Sequence, residues 1–218
     1  MKPVLALLLG LASTACVAAK QADAPATAPD DLSVQALHNF AACIVDTTPK
    51  GAEEVLALDY RSPEYAKRIN QFVSGHADGR CLAGRMSSSQ VLIAGGMAER
   101  LLVEKVRSDQ FASLVAYDAA KAPITARSAT ELTAICVVRA EPAKTFAIFR
   151  TEPTSADEGH AMQAIGPALM GCVKSGQKMS FNKPGLRASL ALAAYRLAQP
   201  QPVVAANAKP MNPSLVNQ

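Results

Sequence analysis

LHNFAACIVDTTP at residues 37–49 and TELTAICVVRAEP at residues 130–142 are the two stretches that decide the fold. Each has a Cys followed by two aliphatic residues, with a proline six residues after the Cys, and the two copies are 93 residues apart. In the first copy Leu37, Phe40 and Ile44 recur at the spacing of one helix face. Proline ends or breaks a helix because it has no amide hydrogen. We therefore predict a helix in each stretch, stopped by its proline.

The similarity continues along the chain in the same order. Ser62-Pro63-Glu64 corresponds to Ser155-Ala156-Asp157, and both are typical of helix starts. The second cysteines, Cys81 and Cys172, align after a two-residue deletion. Strand signals are short and few. Because the shared Cys, Pro and Ser positions occur in the same order in both copies, we predict an all-α fold. It is built from two tandem helical repeats of about 65 residues, each with one disulfide.

These patterns divide the chain into six predicted segments. They are a signal peptide at 1–19, a flexible linker at 20–31, helical repeat 1 at 32–102, a connector at 103–127, helical repeat 2 at 128–198 and a disordered tail at 199–218. The linker is rich in Ala and Pro, and the tail holds four prolines and one charged residue. Such compositions favour disorder.

The N-terminus is predicted to direct export. Lys2 supplies a positive start, residues 4–12 are an unbroken run of apolar residues and glycine, and Val17-Ala18-Ala19 fits a cleavage site. The run is shorter than the roughly 20 residues that a spanning helix needs, so we expect no transmembrane segment after signal removal. The mature protein is then periplasmic or secreted. Cys16, preceded by small residues, leaves a lipid-anchored protein as the alternative.

Four further cysteines remain, and an even number in an exported chain favours disulfides. No two of them lie within four residues of each other, so the spacing of zinc ligands is missing. Four cysteines allow three connectivities. The duplication favours Cys43 with Cys81 and Cys136 with Cys172, because each ancestral unit would have carried its own bridge.

The skeleton of the second copy comprises Cys136-Val137-Val138, a proline, Ser155 with acids, Cys172, Leu186-Arg187 and a final Tyr195-Arg196-Leu197. This skeleton resembles a group of exported alphaproteobacterial helical proteins of unknown function. The resemblance covers both copies and implies no activity. The first copy departs from the second near its end, where Gly95-Gly96 corresponds to Ala191-Leu192 if residues 98–101 are aligned with 194–197.

Composition excludes several classes of protein. Half of the residues are apolar, 18% are charged and the net charge is +4. This excludes a disordered acidic chain and a strongly basic nucleic-acid binder. Ten residues are aromatic and none is Trp, which argues against a stacking platform for bases. We expect no nucleic-acid partner.

The sequence also lacks the common catalytic motifs. It has no His-Glu-x-x-His, no Gly-x-Ser-x-Gly, no glycine-rich phosphate loop and no Cys-x-x-Cys. We therefore predict no catalytic, cofactor-binding or metal-binding residue and no cofactor. The remaining acid–base candidates are His38, His76 and His160. The string 75–79, Gly-His-Ala-Asp-Gly, is the most site-like, and its structural interpretation is a turn at the end of a helix. Tyr60 and Tyr65 are interpreted as core rather than as a ligand pocket.

Two hypotheses of function follow. The first is a non-catalytic binding or interaction module whose partner is an unidentified protein or an envelope component. The alternative is a cell-envelope hydrolase with its site between the repeats. A cluster of titratable residues in a deep pocket between the repeats would favour the enzyme, and an exposed apolar patch or a groove without such a site would favour binding.

Overall fold

The computed structural model describes residues 30–77, 79–82, 86–177 and 179–200. The predicted signal peptide, with Cys16, lies outside these residues. Of the predicted linker and tail, only residues 30–31 and 199–200 are described. Within them the secondary structure is ten α-helices without a β-strand element, so the all-α prediction is confirmed. The described part of the chain contains no helix of the length and apolar character that a membrane crossing requires.

Of the helices formed by the described residues, five precede residue 120 and five follow it. They are α1 (Asp31–Thr47), α2 (Pro49–Ala57), α3 (Pro63–Gly75), α4 (Gln90–Lys105), α5 (Ser108–Val115), α6 (Ala129–Ala140), α7 (Pro142–Phe149), α8 (Ala156–Ala164), α9 (Gly166–Cys172) and α10 (Lys183–Ala198). Helix α1 begins inside the predicted linker, α4 runs past residue 102, and α5 occupies part of the predicted connector.

The ends of the helices agree with the local sequence signals. Thr48 and Glu141, which separate the first two helices of each unit, have nearly the same backbone angles, with φ −143° and ψ 61° against φ −135° and ψ 60°. A proline opens the next helix in both units. Ser62 and Ser155 accept a hydrogen bond from the main-chain N–H three residues on, as an N-cap does. These paired positions are all 93 residues apart.

The two units differ after these caps. In the first unit a single helix, α3, runs to Gly75, and Cys81 lies beyond it. In the second unit Pro167 follows the junction at Ile165, and the chain forms two helices, α8 and α9. Cys172 is then the last residue of α9, whereas Cys81 follows the end of α3. That the two units arose by duplication stays a prediction.

Both predicted disulfides are present. Cys43 bonds to Cys81 with an S–S distance of 2.08 Å, and Cys136 bonds to Cys172 with 2.04 Å. Each bridge ties the first helix of a unit to the region after its third helical segment. Each unit is therefore closed covalently within itself.

The two units meet through α4 and α10, which make the most extensive helix pair of the fold. Helix α4 also packs on α1, α2 and α3, and α10 also packs on α5, α6 and α7. The largest fully buried side chains of the core include Phe40, Ile44, Met97, Leu101, Phe111, Ile148 and Leu190. One continuous core thus extends through both units.

Two adjacent glycines explain how close the central helices lie. A Cβ atom at Gly95 would stand 2.4 Å from Ala188 Cβ and 2.5 Å from Ala188 Cα. A Cβ atom at Gly96 would stand 2.7 Å from Ala41 Cβ. Helix α4 therefore packs closely against α10 on one side and against α1 on the adjacent side. This close packing explains why the first copy has glycine at both positions.

Overpacking in a filled core costs about 1–3 kcal/mol, and Ala recovers about 1 kcal/mol because it is the better helix former. We therefore expect Gly95→Ala to destabilise the fold by a net amount of up to about 2 kcal/mol. Urea unfolding measures it. Gly171→Ala, a helical position where a Cβ meets nothing within 4 Å, is the matched control and should be neutral or slightly stabilising. Equal stability of the two variants would contradict the close approach of α4 and α10.

Candidate functional site

A buried ion cluster centred on Arg187 lies where the two units meet. The Arg187 guanidinium donates two hydrogen bonds to the Glu99 carboxylate, at 2.8 and 2.7 Å, and one to Glu158 Oε1 at 2.7 Å. It also donates to the main-chain oxygen of Thr151 at 2.7 Å. All three charged side chains are almost fully buried. The cluster therefore joins α4 of the first unit to α8 and α10 of the second.

The local sequence explains how Glu158 reaches the cluster. It stands three residues after the N-cap Ser155, whose Oγ accepts from its main-chain N–H at 3.1 Å. One carboxylate oxygen turns back to accept from the N–H of Thr154 at 2.8 Å. The other oxygen is then free to accept from Arg187. The residues at the start of α8 thus deliver a charge to the unit interface as well as capping the helix.

Glu99 is held ionised by its partners. Burial raises the pKa of a carboxyl, but the hydrogen bonds from Arg187 and from His38, whose Nε2 lies 2.8 Å from Glu99 Oε1, outweigh it and lower the pKa of Glu99. Burial by itself lowers the pKa of the Arg187 guanidinium. The hydrogen bonds to Glu99 and Glu158 outweigh burial and raise that pKa above its ordinary value. The charges stabilise one another in a medium of low polarity.

The lowered pKa of Glu99 predicts a loss of stability in acid. A carboxyl whose pKa is lower in the folded than in the unfolded chain stabilises the fold above the unfolded pKa, and this contribution is lost as the pH falls through the folded pKa. We expect the free energy of unfolding to decrease as the pH is lowered below about 4. Urea unfolding across a pH series measures it.

Glu99→Gln should weaken that acid dependence, since the variant has no proton to take up at this position. Glu104→Gln, an exposed carboxyl on the same helix, is the control and should keep the wild-type pH profile. Indistinguishable profiles for the wild type and Glu99→Gln would contradict the assignment.

The ion cluster leaves little room for a ligand. The opening beside it, lined by His38, Glu99 and Arg187 among others, has a volume of about 40 Å³. A space of that size holds a water molecule but no organic ligand. The cluster is therefore a structural link between the units.

A much larger cavity, of about 310 Å³, opens at another position between the units. Its volume falls within the range of small-molecule sites, about 300–1,000 Å³. Most of the lining is apolar or aromatic and comes from the end of α2, the loop after it, α3, α4 and α10. The main wall residues are Leu56, Leu58, Tyr60, Tyr65, Leu192 and Tyr195. We call this space the tyrosine cavity.

Two arginines and a glutamate form the polar end of the tyrosine cavity. Arg196 pairs with Glu131, and the other carboxylate oxygen of Glu131 accepts from the main-chain N–H of Arg127 at 2.6 Å. The Arg127 guanidinium lies over the Tyr60 ring, 5.4 Å from its centroid, and its Nε is 3.6 Å from Asp59 Oδ1. The polar end thus gathers positive charge beside an aromatic ring.

Burial sets the protonation of the other groups in the cavity. It raises the pKa of Tyr65 to about 12. Burial, with the charge of Glu53, raises the pKa of Tyr195 to about 12. Burial and repulsion by Arg127 lower the pKa of Arg196. Both tyrosines are therefore neutral hydrogen-bond donors at physiological pH.

A second recess adjoins the tyrosine cavity. It has a volume of about 640 Å³ and shares Leu56, Arg127, Tyr195 and Arg196 with it. From these shared residues it extends toward Gln199 and Pro200. The two arginines therefore face both spaces.

The ion cluster and the tyrosine cavity occupy corresponding places in the two units. The helix caps of the two units are 93 residues apart. At the same offset, His38 beside the ion cluster corresponds to Glu131 in the tyrosine cavity, and Glu158 in the ion cluster corresponds to Tyr65 in the tyrosine cavity. Thr151, which accepts from Arg187, corresponds to Leu58, which lines the cavity. One place is filled by paired charges, and the other is open and lined by tyrosines.

The histidine candidates lie outside the tyrosine cavity. His38 pairs with Glu99. His76 ends α3, with Nδ1 2.7 Å from the main-chain oxygen of Phe72 and Nε2 2.9 Å from Thr48 Oγ1. His160 is exposed on α8. The string 75–79 is a helix end, with Gly79 at φ 91°, and its Asp78 is outside the described residues.

Sequence reasoning missed most of the residues that form the two sites. Tyr65 is buried as the core interpretation expects, whereas that interpretation is wrong for Tyr60, which is 38% exposed. Both tyrosines line the cavity. Glu99 and Arg187 each stand among apolar residues of a buried helix face. A charge at such a position is the signal that would have indicated the ion cluster, because charged residues are rarely buried unless paired.

Comparisons with known protein families, with curated proteins and with solved structures give no match. Among the described residues, no group of three or more His, Cys, Asp and Glu side chains is placed to hold a metal ion. The resemblance to exported alphaproteobacterial proteins stays a prediction. The function has to be argued from the tyrosine cavity itself.

Proposed function

We propose that this chain is an exported, non-catalytic binding protein whose ligand enters the tyrosine cavity. One observation carries the proposal. The cavity is large enough for a small organic molecule, and its wall combines apolar groups and tyrosines with the Arg196–Glu131 pair and a second arginine, Arg127. Such a wall binds and orients a molecule without a group that is poised to exchange protons at neutral pH.

The hydroxyl groups in the cavity wall support binding over catalysis. Ser128 Oγ accepts from the main-chain N–H of Glu131 at 3.1 Å, and Ser189 Oγ donates to the main-chain oxygen of Gly185 at 2.8 Å. Both serines serve helix backbone groups, whereas a nucleophilic serine needs a base within hydrogen-bond distance. The four cysteines at 43, 81, 136 and 172 are held in disulfides.

Export fits the two disulfides, because such bonds persist in oxidising compartments. We propose that the mature protein is periplasmic or secreted, with cleavage after about residue 19. Mass spectrometry of the mature chain tests this. A diacylglycerol group on Cys16 would establish the lipid-anchored alternative, and an intact Met1 in cytosolic protein would contradict export.

The second candidate function is a cell-envelope hydrolase with its site between the units. The observation in its favour is the Glu131 carboxylate in the cavity wall. Against it, this carboxylate already pairs with Arg196 and accepts from the Arg127 N–H. A general base must have an oxygen ready for the proton it removes.

A ligand-capture experiment separates the two functions. The oxidised protein is incubated with a small-molecule extract of the cell envelope and analysed by native mass spectrometry. Val91, 46% exposed, lies at the cavity, so Val91→Trp should block entry and abolish the bound mass. Leu32→Trp, at an exposed position on α1 away from the cavity, should bind as the wild type does.

The chemical state of the captured molecule decides between binding and hydrolysis. A binding protein releases it unchanged. Release of a cleaved product would establish the hydrolase instead. Equal capture by the wild type and Val91→Trp would show that the tyrosine cavity is not the site.

A further inference from the structure

We infer that the ligand of the tyrosine cavity is an amphipathic organic anion, with a flat apolar body and one carboxylate, sulfonate or phosphate group. This inference rests on the proposed function and specifies its ligand class. The apolar body would lie among the tyrosine and leucine side chains, and the anionic group would meet Arg127 and Arg196.

The apolar end of the cavity is suited to a ring system. Tyr65 and Tyr195 contribute aromatic rings, with Leu58 and Leu192 in the same wall. Two side chains of the wall, Tyr60 and Val91, belong to the few large apolar groups that remain exposed among the described residues. Covering them by a ligand removes apolar surface from water, which is favourable.

Among the described residues, the lining of the cavity contains two cations and one carboxylate, which are Arg127, Arg196 and Glu131. Asp59, which is not in the lining, forms an ion pair with Arg127. The 3.6 Å between Arg127 Nε and Asp59 Oδ1 is too long for a good hydrogen bond, so the guanidinium keeps donors for a further acceptor. A planar guanidinium can bind a carboxylate or phosphate through two parallel hydrogen bonds. An anionic group is thus the complement of the polar end.

The ion cluster shows how a buried arginine of this chain is satisfied. Arg187 donates to carboxylates of the chain itself, from Glu99 and Glu158. In the cavity, the counterpart of Glu158 is Tyr65, which is uncharged, and the counterpart of Arg187 is Ala94, so the two cavity arginines stand at positions of their own. An anionic group of a ligand would meet Arg127 and Arg196 as the two carboxylates meet Arg187.

Two probes that differ in a single group test the inference. Anilinonaphthalene sulfonate is an apolar ring system with one anionic group, and phenylnaphthylamine is the same ring system without it. We expect calorimetric titration of the oxidised protein to show one site for the sulfonate. Phenylnaphthylamine should bind at least about tenfold more weakly, as the loss of a charge-assisted contact implies.

Variants assign the difference to the cavity. Arg127→Gln should weaken the sulfonate about tenfold and leave phenylnaphthylamine unchanged. Arg107→Gln removes the same charge from a well-exposed side chain outside the cavity and should bind both probes as the wild type does. Val91→Trp should block both probes. Thermal unfolding confirms that each variant is folded.

The outcomes separate this inference from the proposed function. Equal affinity for the two probes, with both blocked by Val91→Trp, would overturn the anionic ligand and leave a binding cavity. An affinity difference that Arg127→Gln does not reduce would also overturn it. Binding of both probes that Val91→Trp leaves unchanged, or no binding of either, would overturn the inference and the proposed function together.

Discussion

Replacing Arg187 with methionine is expected to lower the free energy of unfolding by about 3–5 kcal/mol, the cost of removing one partner from a buried ion pair. Methionine fills a similar volume but leaves the Glu99 and Glu158 carboxylates buried without their cation. The main-chain oxygen of Thr151 loses a donor as well. Urea unfolding at neutral pH measures the loss.

A surface arginine gives the matched control. Arg100 pairs with Asp46 and Glu104 where all three side chains are partly exposed, so Arg100→Met should cost less than about 1 kcal/mol. Glu99→Gln added to Arg187→Met should recover part of the loss, since one of the two stranded charges is then removed. Similar losses for Arg187→Met and Arg100→Met would show that the ion cluster contributes little to stability.

Removing the first disulfide is expected to lower the free energy of unfolding by about 3–4 kcal/mol. Cys43 and Cys81 close a loop with a sequence separation of 38, and opening it enlarges the conformational freedom of the unfolded chain. The double variant Cys43→Ala, Cys81→Ala avoids a free thiol. Thermal and urea unfolding of the purified variant measure the effect.

The second disulfide provides the comparison. Cys136 and Cys172 have a separation of 36, so their double alanine variant should lose nearly the same stability. The wild type treated with a reductant should lose more than either variant. If one pair can be removed with no change in the urea midpoint, that loop is held by its packing and the entropic explanation fails for it.

Sequence reasoning found the parts of this fold that are set by neighbouring residues. Prolines at 49 and 142 set helix boundaries because they have no amide hydrogen, and serines at 62 and 155 do so because their side-chain oxygens cap the helix. The cysteine pairing followed from the repeated order of these signals. Helix class and disulfides are accordingly the features that the sequence predicted correctly.

The register of the last helices was harder to predict. Sequence matching placed residues 98–101 opposite 194–197, an offset of 96, whereas α4 and α10 begin 93 residues apart at Gln90 and Lys183. An apolar helix face recurs every three to four residues. A match one turn away therefore looks equally good in a sequence rich in Ala and Leu.

The two sites depend on contacts between distant segments, and this is why they were missed. Glu99 and Arg187 are separated by 88 residues, and they meet because Gly95 lets α4 approach α10. The cavity likewise forms where the start of α6 faces the loop after α2. A charge on an apolar helix face indicates that a buried partner exists, but no pattern within one segment shows which distant residue that partner is.

The pairing of the cysteines has a consequence for how the chain matures. Both bonds join cysteines that follow one another in the sequence, 43 with 81 and 136 with 172. An oxidant that acts on thiols in their order of emergence from a translocation channel makes the native bonds at once. For the export proposed above, the first bond can be complete before Cys136 emerges, so oxidation in chain order is enough to give the native pairing of these four cysteines.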